Sequence, residues 1–375
     1  MPISTAVFAF SVACLTSLIL TPMVRRLAVR LRWRDCPGGA EHKARCSTRT
    51  HAGGIGVLLA LLIAVWSVDA SFPEIVRRLR PELLLILPGA LLAAGVGLVD
   101  DLRGCRPFEK LAVQIAGAVV VVSAVAALPP SWLHAAWPVP VWLTATILGL
   151  WIVGTTNALN LVDGIDGLAP GIATLNAAGL TVLAIAGGEL GIAVLAAATA
   201  GCALGFLRSN RHPAKIYLGD SGSMLLGFLL GAIGVVLVGR SATPTTALAV
   251  VLLGWVPLLD TGLAVVRRIS SGMSPFRPDR DHIHHRLVSR GLSVRLAAGS
   301  LWSIQAVAVA AGIAIGFGAP VSPCLAAIGI VTLPLARVVL PLRVTVRVDD
   351  PRRDDVAPQR PDSEPALGAA QNRAA

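Results

Sequence analysis

Apolar segments of about 20 residues recur along nearly the whole chain, and this pattern limits the fold more than any other feature. A helix of that length spans the hydrocarbon core of a bilayer. Of the 375 residues, 55% are hydrophobic and only 14% are charged, whereas soluble domains carry roughly a quarter charged residues. The sequence therefore predicts an all-α, polytopic membrane protein whose surroundings are a lipid bilayer.

We expect about eleven transmembrane helices. The first is not a cleavable signal peptide, because no Lys or Arg precedes it and the positive charges follow it at Arg25 and Arg26. The expected spans are 3–24, 52–70, 83–99, 109–128, 139–155, 168–187, 190–207, 217–238, 245–266, 297–318 and 321–342.

The basic residues follow the positive-inside rule, which explains the net charge of +11 without any nucleic-acid partner. Segments that share one side of the membrane hold most of the Arg and Lys residues, whereas 128–139 and 318–321 are nearly free of charge. This pattern predicts an external N-terminus and a cytoplasmic C-terminus. One loop disagrees, since Arg77, Arg78 and Arg80 fall on the predicted outer side.

Residues 1–343 are interpreted as one transmembrane domain and 344–375 as a disordered cytoplasmic tail. The tail is polar, rich in Pro and Ala, and without apolar periodicity. The six cysteines show no metal-binding spacing and predict no disulfide framework.

Two adjacent carboxylates, Asp100 and Asp101, follow an apolar run in the stretch GLVDDLRG. They lie at the C-terminal end of an inward-running helix, where the helix dipole disfavours negative charge. A positive group should therefore compensate them. The alternative to a functional role is a solvated loop in which Arg103 and Arg106 are the partners.

A second polar stretch, NALNLVDGIDGLA, lies on the same side and repeats a polar residue at every third position. In a helical or near-helical segment, Asn157, Asn160, Asp163 and Asp166 would line one face. The alternative is turn chemistry, because the Asp-Gly pairs at 163 and 166 form tight turns without any further role.

Two further motifs and one buried acid complete the candidate site. Asp220, in YLGDSGSMLLGFLLG, is either a functional carboxylate or an ordinary helix cap. The loop PFRPDRDHIHHRL carries three histidines, whose basic surroundings suit phosphates better than zinc. Asp260 lies inside an apolar run and is a functional candidate, with an ion pair to Arg267 or Arg268 as the structural alternative.

Taken together, these motifs supply carboxylate and carboxamide oxygens for a hard cation and basic groups for phosphate. Mg²⁺ prefers oxygen ligands and commonly shares them with substrate phosphates. The combination predicts phosphoryl transfer at the inner membrane face.

The stretches VDDLRG, NALNLVDGIDGLA, GDSGSMLLG and PDRDHIHHRL, in this order, resemble the motifs of the polyprenyl-phosphate N-acetylhexosamine-1-phosphate transferases of glycosyltransferase family 4. The resemblance runs from about residue 20 to 340. It implies transfer of sugar 1-phosphate from a UDP-N-acetylhexosamine, with UDP-N-acetylglucosamine expected, to undecaprenyl or decaprenyl phosphate with release of UMP. It also implies Mg²⁺ as cofactor and the bacterial plasma membrane as location. A homodimer remains open.

The resemblance also implies a role for each matched residue. Asp100 and Asp101 become the catalytic pair, and Asp220 and Asn160 the metal ligands. The expected substrate-binding residues are Asn157, Asp163, Asp166, His282, His284 and His285. The first cytoplasmic loop departs from the family pattern, with Arg45 in place of a His and Thr50 in place of a Pro.

Three alternatives bear on this interpretation. The phospho-N-acetylmuramoyl-pentapeptide transferases share the Asp motifs, but their loop carries three consecutive histidines. Here Ile283 interrupts that pattern. The CDP-alcohol phosphotransferases are rejected, because no further acids follow Asp166 until Glu189. A transporter would bind ions near the bilayer midplane between repeats, whereas these acids gather at one face and no repeat is evident.

Overall fold

The computed structural model describes residues 2–33, 49–126, 140–240, 243–274 and 281–339. Within these ranges the regular secondary structure is entirely α-helical, which confirms the all-α prediction. The helices are α1 (Pro2–Arg30), α2 (Gly53–Ser71), α3 (Pro73–Arg103), α4 (Pro107–Ala126), α5 (Val141–Val162), α6 (Leu168–Ala186), α7 (Leu190–Asn210), α8 (Gly219–Arg240), α9 (Pro244–Leu253), α10 (Trp255–Ser270), α11 (Ile283–Ser289), α12 (Val294–Gly316) and α13 (Val321–Val339).

Eight helices in the described part of the chain are long and apolar enough to cross a membrane, namely α1, α2, α4, α5, α6, α7, α8 and α12. A ninth span results if α9 and α10 are counted together. The expected spans 83–99 and 321–342 fall on α3 and α13, but the count of about eleven is not confirmed. The predicted tail, 344–375, lies outside the described residues.

Helix α8 lies at the centre of the bundle. Apart from Asp220, Ser221 and Ser223 in its first turns and Arg240 at its end, it is apolar on every side, and its residues from Ser221 to Val238 are buried. A helix without a polar face has to be surrounded by other helices, and α8 packs against α2, α3, α5 and α6. The residues at its first turn are therefore held among several helix ends.

The predicted span 245–266 falls on two helices, because the chain breaks at Gly254 and turns by 74° between α9 and α10. The break leaves backbone groups without helical partners. Gln305, which is fully buried, satisfies two of them: its amide nitrogen donates to the Leu253 carbonyl at 2.8 Å, and its amide oxygen accepts from the Val256 N–H at 2.9 Å. Broken helices are tolerated at membrane depth where side chains replace the lost bonds.

Candidate active site

Asp101 lies at the end of α3 and binds the beginning of α8. Its two carboxylate oxygens accept hydrogen bonds from the backbone N–H groups of Asp220, at 2.9 Å, and Ser221, at 3.0 Å. These donors are among the first of α8 and have no partner within that helix. At the C-terminus of α3 the helix dipole disfavours the Asp101 carboxylate, but the same carboxylate caps the positive N-terminal end of α8.

This contact requires α3 and α8 to approach very closely. A Cβ at Gly97, one turn before Asp101, would lie 2.5 Å from the Asp220 carbonyl oxygen and 2.6 Å from the Ser221 nitrogen. Any side chain there would force the two helices apart and lengthen the bonds to Asp101. The glycine of the GLVDDLRG motif is therefore explained by packing.

Asp100 is compensated by a lysine that sequence reasoning missed. Lys110, in the first turn of α4, donates to Asp100 Oδ2 at 3.0 Å and to Asp220 Oδ2 at 2.9 Å. The other oxygen of Asp100 accepts from the Cys105 backbone N–H at 2.6 Å. The suggestion that Arg103 or Arg106 pairs with these acids is wrong for Asp100, since its ion pair is with Lys110.

The polar face predicted for residues 157–166 forms only in part. Asn157 and Asn160 lie on α5, and Asp163 caps its C-terminus, but Asp166 lies in the turn that follows. The amide nitrogen of Asn160 donates to Ser223 Oγ on α8 at 2.9 Å. Asn157 instead donates to Gln114 Oε1 at 2.6 Å. Asn160 therefore points towards the acidic cluster, by which we mean Asp100, Asp101, Asp163 and Asp220. Asn157 points towards α4.

Asp163 lies partly buried among acids. Burial, followed by the negative charges of Asp220, Asp101 and Asp166, raises the pKa of Asp163 well above its usual value. The described residues place no hydrogen-bond donor on its carboxylate. In the described part of the chain, the ion pairs of Lys110 are with Asp100 and Asp220, so Asp163 has no cationic partner there.

Asp166 is directed away from this cluster. Its Oδ2 contacts His212 Nδ1 at 2.8 Å and accepts from the Ala214 N–H at 3.0 Å. Next to it, Asn210 accepts from the Gly167 N–H at 2.9 Å. Asp166 thus anchors the loop that leads from α7 to Asp220, and the expectation that it shares a helix face with Asn160 and Asp163 is wrong.

The histidine loop, which carries His282, His284 and His285, is anchored by Asp260. This carboxylate contacts His282 Nδ1 at 2.9 Å and accepts from the Ile283 N–H at 2.8 Å. Both Asp260 and His282 are buried. The partner of Asp260 is therefore the histidine loop, and the alternative of an ion pair with Arg267 or Arg268 is replaced by this contact.

His284 connects the histidine loop with the turn that follows α5 and carries Asp163. It is 1% exposed and its Nε2 has no hydrogen-bond partner among the described residues. A Cβ at Gly164 would overlap this nitrogen, so the imidazole lies directly against the turn that carries Asp163. Burial, followed by the neighbouring His285, lowers the pKa of His284 to about 4. His284 is therefore neutral at pH 7.

In the described part of the chain, no group of three or more His, Cys, Asp or Glu side chains is arranged to hold a metal ion. The acids nevertheless supply the oxygen donors that Mg²⁺ prefers. Asp100 and Asp220 already direct one oxygen each at a single cation, the ammonium of Lys110.

Comparison with known proteins relates this arrangement to a family. The chain is 32% identical, over 80% of its length and 84% of the relative's, to a probable undecaprenyl-phosphate N-acetylglucosaminyl 1-phosphate transferase of Bacillus subtilis. A sequence profile described as glycosyl transferase family 4 matches residues 83–238. The chain belongs to glycosyl transferase family 4.

Other relatives match at similar levels. A decaprenyl-phosphate N-acetylglucosaminephosphotransferase of Mycobacterium tuberculosis is 33% identical over 76% of each chain. A phospho-N-acetylmuramoyl-pentapeptide-transferase of Desulforamulus reducens is 31% identical over 79% of this chain and 91% of its own. The family profile covers the acidic cluster, whereas the histidine loop lies beyond it.

Proposed function

We propose that this protein transfers N-acetylglucosamine 1-phosphate from UDP-N-acetylglucosamine to undecaprenyl or decaprenyl phosphate and releases UMP. The Bacillus and Mycobacterium relatives, whose names specify N-acetylglucosamine and a polyprenyl phosphate, support the substrates. The observation that carries the proposal is the cluster of Asp100, Asp101, Asp163 and Asp220 with Lys110. Phosphoryl transfer depends mainly on positioning and electrostatic stabilisation, and this cluster offers both.

The proposed setting is the bacterial plasma membrane, with the acidic cluster at the cytoplasmic face. About eleven spans, an external N-terminus and a cytoplasmic C-terminus are part of this proposal, and the distribution of basic residues supports them. Nucleotide sugars are found on the cytoplasmic side. The homodimer remains a prediction.

Mg²⁺ is the proposed cofactor, with Asp220 and Asn160 as its protein ligands. The donor set fits, because it consists of carboxylate and carboxamide oxygens and because the single ammonium of Lys110 forms ion pairs with two carboxylates, those of Asp100 and Asp220. When bound, the ion would neutralise charge on the diphosphate of the nucleotide sugar. The substrate oxygens would complete a coordination shell that the protein alone does not supply.

The contacts of Asp101 and Asp100 support different roles for the two adjacent acids. Asp101 positions α8, and with it Asp220, through both of its oxygens. Asp100 faces Lys110 and is the proposed acceptor of a proton from the polyprenyl phosphate. We favour direct attack of that phosphate on the sugar-bearing phosphorus, because a phosphate oxygen is an adequate nucleophile once it is positioned.

The histidine loop is proposed to hold the phosphates of the nucleotide sugar. His282 is engaged by Asp260 and therefore fixes the loop, while His284 has a free nitrogen beside the acidic turn. Because the pKa of His284 is low, it would bind a phosphate through a neutral hydrogen bond rather than through an ion pair. His285, whose ring centroid lies 4.2 Å from that of His284, is the neighbouring candidate.

The test is to measure UMP release by purified protein supplied with undecaprenyl phosphate, Mg²⁺ and one UDP-sugar at a time. We expect release with UDP-N-acetylglucosamine and none with UDP-N-acetylmuramoyl-pentapeptide. The reverse preference would favour the muramoyl-pentapeptide transferase function, to which relatives such as that of Desulforamulus point. No release with any UDP-sugar, in a folded protein, would favour a transporter.

A further inference from the structure

We infer that Lys110 is an internal counter-cation, which holds the carboxylates of Asp100 and Asp220 together in the metal-free site and releases at least one of them when a divalent cation binds. The inference rests on the proposed function, because it concerns the cation site of the proposed transferase. It assigns a positioning role to a residue that the motifs of the sequence do not include.

The geometry of Lys110 is that of a bridging cation. Its ammonium lies 3.0 Å from Asp100 Oδ2 and 2.9 Å from Asp220 Oδ2, and it thus joins α4 to the end of α3 and the beginning of α8. The side chains of these three residues are only 19–28% exposed. In the described part of the chain, no other Lys or Arg forms an ion pair with either carboxylate.

A bridging ammonium and a divalent ion cannot share the same two oxygens. Both require contact with the oxygen lone pairs, and two positive charges at contact distance repel each other strongly in partly shielded surroundings. Cation binding at Asp220 therefore requires Lys110 to move.

Lysine is suited to such an exchange. Its charge sits at the end of a flexible four-carbon stem, whereas the planar guanidinium of arginine would bind a carboxylate in a fixed two-pronged geometry. Without any cation, Asp100 and Asp220 would repel each other across the junction of α3 and α8. Lys110 prevents this repulsion and in return lowers the affinity of the site for metal.

The first test measures Mn²⁺ binding by electron paramagnetic resonance on the full-length protein in detergent, without nucleotide sugar or lipid. We expect Lys110→Met, which keeps an unbranched apolar stem, to bind Mn²⁺ about tenfold more tightly than the wild type, a difference of about 1.4 kcal/mol. The matched control is Lys215→Met, because Lys215 is exposed and makes no ion pair with the cluster. Unchanged or weaker binding by Lys110→Met would overturn the inference.

The second test needs no variant and so does not depend on the folding of one. The chain has three lysines, Lys43, Lys110 and Lys215, so acetylation by an amine reagent can be followed at each by mass spectrometry. Adding Mn²⁺ should increase the labelling rate of Lys110 several-fold and leave that of Lys215 unchanged. Equal or slower labelling of Lys110 would contradict its release. Neither test involves substrate, so absence of transferase activity would refute the proposed function without altering either result.

Discussion

Removing the carboxylate of Asp101 should loosen the junction between α3 and α8 as well as abolish turnover. This carboxylate accepts two backbone hydrogen bonds, at 2.9 and 3.0 Å. Hydrogen bonds to charged groups contribute about 1.5–3 kcal/mol each, and a carboxylate at a helix N-terminus adds about 0.3–1 kcal/mol. Because such contributions are not additive, we expect Asp101→Ala to cost about 3 kcal/mol. Asp101→Asn, which keeps one acceptor oxygen, should cost about half of that.

The assay is thermal unfolding of the detergent-purified variants in EDTA, with UMP release measured in parallel. At about 2 °C per kcal/mol, Asp101→Ala should melt roughly 6 °C below the wild type. The control is Asp100→Asn, which weakens a partly exposed ion pair of about 1 kcal/mol and should shift the transition by only about 2 °C. If Asp101→Ala melts no lower than Asp100→Asn, the capping argument is refuted, and near-normal turnover by Asp101→Asn would refute its role in the active site.

The remaining predictions concern the metal and the histidine loop. Asp220→Ala should abolish turnover yet leave a folded protein, because loss of a cap alone costs only about 1 kcal/mol; near-normal activity with unchanged Mg²⁺ dependence would make Asp220 merely a cap. The depressed pKa of His284, about 4 against 6.5, means that the unfolded chain binds its proton first. Stability should therefore fall by up to about 3 kcal/mol as the pH drops from about 6.5 to 4, and His284→Gln should show a smaller fall in thermal unfolding over that window. Gly164→Ala, whose Cβ would overlap His284 Nε2, should raise the KM for the UDP-sugar about tenfold and leave the KM for the lipid unchanged; an equal rise in both would argue against contact of His284 with the nucleotide sugar. Asp260→Asn, which weakens the contact with His282, should reproduce this selective rise in the KM for the UDP-sugar. A merely structural role of Asp260 would instead lower kcat and leave the two KM values in their original ratio.

Hydropathy predicted most of the helices because a span needs only length and apolar composition, both of which are local properties. It did not predict the break at Gly254 within 245–266, which Gln305 from a distant helix stabilises. No local pattern pairs residue 305 with residues 253 and 256. The orientation of the termini and the full number of spans depend on a bilayer and on residues outside the described ranges.

The site was predicted in its residue types but less well in its contacts. The motifs predicted that Asp100, Asp101 and Asp220 belong to one site. In the structure Lys110 contacts both Asp100 and Asp220, and Asp101 accepts a hydrogen bond from the Asp220 N–H. The sequence did not show that Asp101 would cap α8, since a cap from another helix has no fixed spacing. Lys110 left one usable signal, because an ionisable residue at the start of an apolar span is a functional candidate by default.

The direct test of the central claim is to follow the β-phosphate of UDP-N-acetylglucosamine. With [β-³²P]UDP-N-acetylglucosamine, undecaprenyl phosphate and Mg²⁺, sugar 1-phosphate transfer predicts that the label enters the lipid fraction in amounts equal to the UMP released. Asp220→Ala should incorporate none, whereas Lys215→Met should match the wild type. Release of labelled UDP, with sugar but no ³²P in the lipid, would contradict the account, because the bond cleaved would then be the glycosidic one and not the bond between the two phosphates.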